Sequence, residues 1–202
     1  MARSGNPYVV FLLVCSLITF FVFTVSYLRR SANGAKALAA LMLMAFFWSF
    51  SYLLQLISPD LGTKILWLKV KFIGIVTVPI AWLAFTITYT RIIGLARRYL
   101  LLLSIIPLIT LIIVWTNPLH HIFSAGYNLY SVSSTLEVLD PDYTGWYYIQ
   151  VFYSYLLVIG GLFILFQEFL STSRTYRMQI GILLLGGIIP WGINFLYTFQ
   201  PE

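Results

Sequence analysis

The chain is divided by apolar runs, each about as long as the hydrocarbon core of a bilayer is thick, and that repetition leaves it few ways to fold. Six stand out, at about 8–28, 37–57, 65–89, 99–115, 146–166 and 180–199. A helix needs roughly 20 apolar residues to cross that core. Within lipid, an isolated strand leaves its backbone groups unsatisfied, so each run predicts a helix. The first run follows Arg3 as a secretory leader would. It exceeds the roughly 7–15 apolar residues of a leader and has no small-residue cleavage end, so it reads as an uncleaved span. The fold expected is an all-α polytopic membrane helical bundle, a single transmembrane domain over residues 1–202.

Composition agrees and excludes other classes. Only 9% of the residues are charged, against about 25% in soluble domains. Such a chain has too few charges to cover a surface in water. The net charge of +6 does not indicate nucleic acid, because the basic residues lie at the ends of the runs. Cys15 stands alone in the chain, so there is no disulfide to form and no thiolate metal site. No H-E-x-x-H, G-x-x-x-x-G-K-[ST] or G-x-S-x-G occurs. The chain therefore offers no catalytic residues, and neither a metal nor a cofactor is expected.

Orientation follows from the connections. Arg29, Arg30 and Lys36 lie between the first two runs, Arg91, Arg97 and Arg98 between the third and fourth, and Arg174 and Arg177 between the last two. The alternate connections carry Arg3 and Lys64 with Asp60, Glu137, Asp140 and Asp142. Lys and Arg favour the cytoplasmic side. A multi-pass protein of the cell membrane with its N-terminus outside is the expectation, and the long 116–145 loop then faces outward too.

That loop concentrates the polar chemistry. It holds both histidines, His120 and His121, and three of the six acidic residues. Alternation around Tyr127–Val132 and Thr135–Leu139, before Asp140-Pro141-Asp142, suggests a small hairpin lid. Neighbouring histidines in an extended loop point apart and do not chelate one metal unaided. They suit a helix-end cap or a sensing role. Lys69 and Lys71 interrupt the third run near its outer end, where an ammonium can snorkel to the interface. Spaced two apart, they point to different helix faces, so at most one turns into the bundle. With Asn117, His120 and Lys71 converging at the outer surface, and Trp67 and Tyr143 as walls, a ligand-sensing site is the functional reading. Pro79, Pro107 and Pro190 are expected to kink their helices. Asn194 is placed to hydrogen-bond near Pro190, and Gly160-Gly161 and Gly186-Gly187 suit close helix packing.

The order of motifs resembles the N-terminal seven-helix sensor region of bacterial and archaeal histidine kinases. The matching pieces are Lys71-Phe72-Ile73-Gly74 leading to Pro79 and Trp82, Thr116-Asn117-Pro118-Leu119-His120, and Tyr153-Ser154-Tyr155-Leu156-Leu157. Tyr176-Arg177-Met178-Gln179 follows, with Pro190, Asn194 and Tyr197. The resemblance spans nearly the whole chain. It departs from the family pattern where His121 doubles the turn histidine and where the seventh span has no counterpart. It implies a sensory input domain of a two-component system, passing an extracellular or membrane stimulus to a cytoplasmic output. The partners it implies are the bilayer, a cytoplasmic signalling domain in cis, a second copy in a homodimer, and a small ligand of undefined chemistry. Six spans that start outside also end outside, so a seventh helix is expected to follow residue 202 before any cytoplasmic domain. The alternative is a small polytopic transporter or transporter subunit. The lack of a mid-span carboxylate weighs against it.

Overall fold

A computed structural model describes residues 6–32, 34–91, 97–133 and 136–198. In chain order these form α1 (Pro7–Leu28), α2 (Ala35–Ile57), α3 (Leu61–Tyr89), α4 (Arg97–Leu103) and α5 (Ile105–His120). The hairpin β1 (Ser124–Ser133) and β2 (Leu136–Tyr143) comes next, then α6 (Gly145–Ser171) and α7 (Arg174–Thr198). Among the described residues, six helical stretches are long and apolar enough to cross a membrane, with α4 and α5 together making the fourth, Tyr99–His120. The all-α polytopic bundle is therefore present.

The bundle is built around α3. More than half of its span is buried, 56%, against 33% or less for every other. Trp82 is the knob of its core, packing with Phe85 of α3 itself and with Leu41, Val158, Leu165 and Ile180 from α2, α6 and α7. Two glycines make room for the indole. A Cβ on Gly187 would meet the ring at 2.8 Å, and one on Gly161 would collide with Trp82 Nε1. The indole N–H donates to Val158 O at 3.3 Å, so the polar end of the ring is satisfied between helices. Gly160 and Gly186 do not share this role. A Cβ on Gly160 would meet only Leu83, at 3.9 Å, and one on Gly186 nothing within 4 Å.

Gly74 brings the α2 and α3 backbones together. A Cβ there would lie 2.7 Å from Trp48 N and 2.8 Å from Met44 O, both main-chain atoms that cannot turn aside. Gly74→Ala is expected to cost about 3 kcal/mol by forcing the helices apart. Gly186→Ala, into open space, is expected to be neutral or to gain up to about 1 kcal/mol of helix propensity. Unfolding midpoints of the two variants in one detergent mixture provide the check.

Cations close two helix ends. Arg177, in the first turn of α7, donates to Thr172 O and Leu170 O at 3.2 and 3.3 Å, where α6 runs out of its own donors. At the other end of the bundle, Lys64 in the first turn of α3 does the same for α2, as described below. Asp60 caps α3, accepting Thr63 N–H at 2.6 Å and Thr63 Oγ1–H at 2.8 Å. The backbone N–H of Thr63, more than its hydroxyl, holds the Asp60 carboxyl below its ordinary value of 3.8. Its contribution to stability is thus complete at neutral pH and is lost only as pH falls through that lowered value.

The fourth span is broken at Ser104, and the break has a chemical cause. Pro107 has no N–H to give Leu103 O, its acceptor four residues back. The helix resumes with Leu108 N donating to Ser104 O at 3.0 Å. The orphaned Leu103 carbonyl is taken by the Tyr153 hydroxyl of α6 at 2.6 Å. Tyr153→Phe is expected to cost about 1.5 kcal/mol. In a Pro107→Ala background, where residue 107 supplies its own N–H, the same change should cost under about half as much. A double-mutant cycle in detergent measures the difference.

The boundaries differ from the sequence expectation at α3, α5, α6, α7 and the hairpin. Residue 61, directly after the Asp60 cap, starts α3, which draws Lys64 out of the connection and into a helix. The turn expected from Thr116 stays helical to His120, so the polar loop begins five residues later. The helices α6 and α7 extend to Ser171 and back to Arg174, beyond the apolar runs. The hairpin is longer than the alternation suggested, running antiparallel from Ser124↔Tyr143 to Ser133↔Leu136 with two bulges. Pro79 lies buried within α3, and Pro190 lies exposed within α7. The Asn194 side chain lies outside the described residues.

Candidate functional site

The hairpin lies across one end of the bundle, and its seat is aromatic. Phe123, 1% exposed, opens the hairpin. Its ring meets Phe72 of α3 edge-on at 4.8 Å and Tyr143 at 5.6 Å. Tyr143 in turn stacks on Tyr147 of α6 at 3.7 Å. Leu68, Val76, Val114 and Leu139 complete this cluster. A second contact lies towards α1 and α2, where Leu136 packs with Val9, Leu53 and Leu56. The hairpin thus touches α1, α2, α3, α5 and α6 at once.

Asn117 ties the hairpin to α5. Its Oδ1 accepts Phe123 N–H at 2.9 Å and Ser124 N–H at 3.2 Å. Its Nδ2 donates to Ser124 O at 2.9 Å and to the Tyr127 hydroxyl at 3.4 Å. Both ends of a buried amide are used, which is why the chain can turn sharply out of a helix without stranding backbone groups. The turn itself passes through His121, in the left-handed region at φ 53° with its side chain exposed. His120 folds back over the helix end. Its Nδ1 accepts Ile122 N–H at 3.0 Å, and Nε2 faces Thr116 Oγ1 at 2.9 Å. The Thr116 hydroxyl hydrogen already goes to Ile112 O at 2.7 Å, so this arrangement selects the Nε2–H tautomer. From the residue between β2 and α6, Thr144 N donates to Phe123 O at 3.1 Å, and Thr144 Oγ1 donates to Ile122 O.

Lys64 is the second tie. At 1% exposure it is the largest fully buried side chain in the described residues. Its ammonium donates to Gln55 O, Leu56 O and Glu137 O at 3.2, 3.3 and 2.9 Å. The first two are carbonyls of the last turn of α2, where a cation also meets the negative end of the helix dipole. The third belongs to β2. One side chain of α3 therefore joins the end of α2 to the hairpin.

A polar ladder runs down from this seat between α5 and α6. Trp146 Nε1 donates to Thr110 Oγ1 at 3.0 Å, which donates to Gln150 Oε1 at 2.8 Å. Gln150 Nε2 continues to Ser154 Oγ at 3.0 Å. Thr110, Gln150 and Ser154 are all buried. Interhelical hydrogen bonds of this kind take the place of the hydrophobic drive that lipid removes.

Of the residues singled out from sequence, Asn117 and Tyr143 share the seat around Phe123, and His120 sits at its rim. Lys71 is elsewhere: its ammonium lies over the Tyr52 ring of α2 at 4.5 Å. Lys69 donates to Trp115 O at 3.3 Å, over that indole at 5.8 Å, on the α5 side of α3. The two lysines do face different helices. Trp67 is partly buried on α3, beside Leu68. Lys64 and the Gln150 ladder went unread in the sequence. Lys64 looked like a loop charge, although its place four residues after an Asp-led start was a usable signal. Among the described residues, no three His, Cys, Asp or Glu side chains gather to hold a metal.

These features define a polytopic helical membrane protein whose one end is closed by a hairpin anchored through Asn117, Phe123 and Lys64. Residues 11–202 match the family described as the N-terminal 7TM region of histidine kinase, and the chain belongs to that family. No curated protein sequence matches it at a significant level.

Proposed function

We propose that this chain is the sensory input region of a two-component histidine kinase, with the hairpin outside the cell and a cytoplasmic signalling domain in cis. The observation that carries the reading is the hairpin's seat on five helices at once. A ligand or a change in the membrane that shifts the hairpin must repack Val9, Leu53, Phe72, Val114 and Tyr147 together. The ladder from Trp146 to Ser154 extends that coupling into the membrane, next to the Ser104 break. The mechanism is a bias between two packings of the bundle, read at the opposite end. Orientation rests on charge: Arg29, Arg30, Lys36, Arg91, Arg174 and Arg177 gather at the end away from the hairpin. Nothing in the site has the constellation of an enzyme. Catalysis in this reading belongs to the signalling domain.

One experiment tests orientation and role together. In the full-length kinase with Cys15→Ala, Ala125→Cys should react with a bulky impermeant maleimide in intact cells, and Ser173→Cys only after permeabilisation. The adduct at Ala125→Cys should change autophosphorylation in membrane vesicles at least threefold. Labelling of Ser173→Cys alone would invert the topology. Labelling of Ala125→Cys with unchanged autophosphorylation would remove the hairpin from signalling.

A further inference from the structure

Both α2 and the α4–α5 span pack against α3, and between them they leave an apolar crevice of about 300 Å³. Its walls include Met44 of α2, Thr77 and Ala81 of α3, and Ser104, Pro107 and Leu108 at the break in the fourth span. Pro107 lies thirteen residues, about 20 Å, below the hairpin end of its helix. A depth of that order is well inside a hydrocarbon core of about 30 Å. Leu108 is 57% exposed, so the crevice opens sideways rather than into the bundle.

The hydroxyl hydrogens of the lining are already committed. Thr77 Oγ1 donates to Ile73 O at 2.6 Å, and Ser104 Oγ donates to Leu100 O at 2.9 Å, each within its own helix. A polar ligand would lose its hydration here and find no free donor in these hydroxyls. A whole helix, about 10 Å across, is too wide for the space. What fits a dry, laterally open crevice at this depth is one hydrocarbon chain. We propose that the crevice is a binding site for the acyl chain of a membrane phospholipid, held against the Ser104–Pro107 break. The site stands independently of the sensory role of the hairpin. It gives the fourth span a contact besides the hydrogen bond from Tyr153.

The test uses the protein in phosphatidylcholine nanodiscs containing a few percent of a phosphatidylcholine with a diazirine midway along one chain. After illumination, peptide mapping should show adducts at Met44 and Leu108 at least fivefold above those at Leu156 and Phe163, exposed apolar residues of α6. Ala81→Phe, which fills the floor, should reduce the Leu108 adducts at least fivefold and leave those on α6 unchanged. Equal labelling of the two faces in the unaltered protein would overturn the proposal and reduce the crevice to ordinary lipid contact. That comparison needs no variant, so it holds even if Ala81→Phe misfolds. Adducts undiminished by Ala81→Phe in a folded protein would also overturn it. So would protein–protein crosslinks through Leu108 in place of lipid adducts, which would assign the crevice to a second copy.

Discussion

Lys64→Met should release β2 from the end of α2 and cost about 3 kcal/mol. Methionine keeps an unbranched apolar stem and removes only the ammonium, so packing is nearly conserved and the loss isolates the hydrogen bonds. Three carbonyls, of Gln55, Leu56 and Glu137, lose a charged donor inside a site 1% exposed. Hydrogen bonds to charged groups are worth about 1.5–3 kcal/mol each, and a stranded buried acceptor costs about 1–3. Against this, the buried ammonium itself carried a desolvation cost that its removal refunds. The net of about 3 kcal/mol corresponds to roughly a hundredfold in a local opening equilibrium. Amide exchange in β2 should therefore accelerate about a hundredfold in the variant, while amides around Trp82 change little. Unaltered protection of Val138 and Leu139 would show that apolar contacts alone hold the hairpin.

How much of this was readable before the structure depended on the range of the interaction. The spans were legible because lipid imposes one rule on every segment: a continuous apolar run must be helical. The hairpin was legible in outline, since alternation and the Asp140-Pro141-Asp142 stretch are local signals. The end of α5 was not. A residue before proline is disfavoured in the α region, so Asn117-Pro118 reads as the start of a loop. The helix persists there because the Asn117 side chain takes the Phe123 and Ser124 N–H groups of the departing chain, contacts that no local pattern announces. The ladder was hidden for the same reason: Thr110 and Gln150 are forty residues apart in sequence and 2.8 Å apart in the fold. Glycine pairs show the limit of composition as a guide. Gly161 and Gly187 clamp Trp82, whereas their neighbours Gly160 and Gly186 make no such contact, and only helix phase decides between them.

Asn117 should prove the more severe position, and the choice of substitute distinguishes what it does. Asn117→Leu removes four hydrogen bonds and leaves Phe123 N–H, Ser124 N–H and Ser124 O without partners in a pocket 1% exposed. Stranded buried groups at about 1–3 kcal/mol each predict a loss near 4 kcal/mol after local relaxation. Asn117→Asp keeps the shape and both accepted N–H bonds, yet it can no longer donate to Ser124 O. It sets a carboxylate oxygen against that carbonyl oxygen, where the amide N–H lay 2.9 Å away. The expected loss is therefore no smaller than for leucine. In both variants the damage should stay at the hairpin end, because the packing around Trp82 shares no side chain with the seat of Phe123. Hydrogen exchange should show β1 and the last turn of α5 unprotected while the α3 segment around Phe85 stays protected. An Asn117→Asp protein with normal exchange in β1 would mean that the accepted bonds suffice. The amide's donor half would then contribute nothing to holding the hairpin in place.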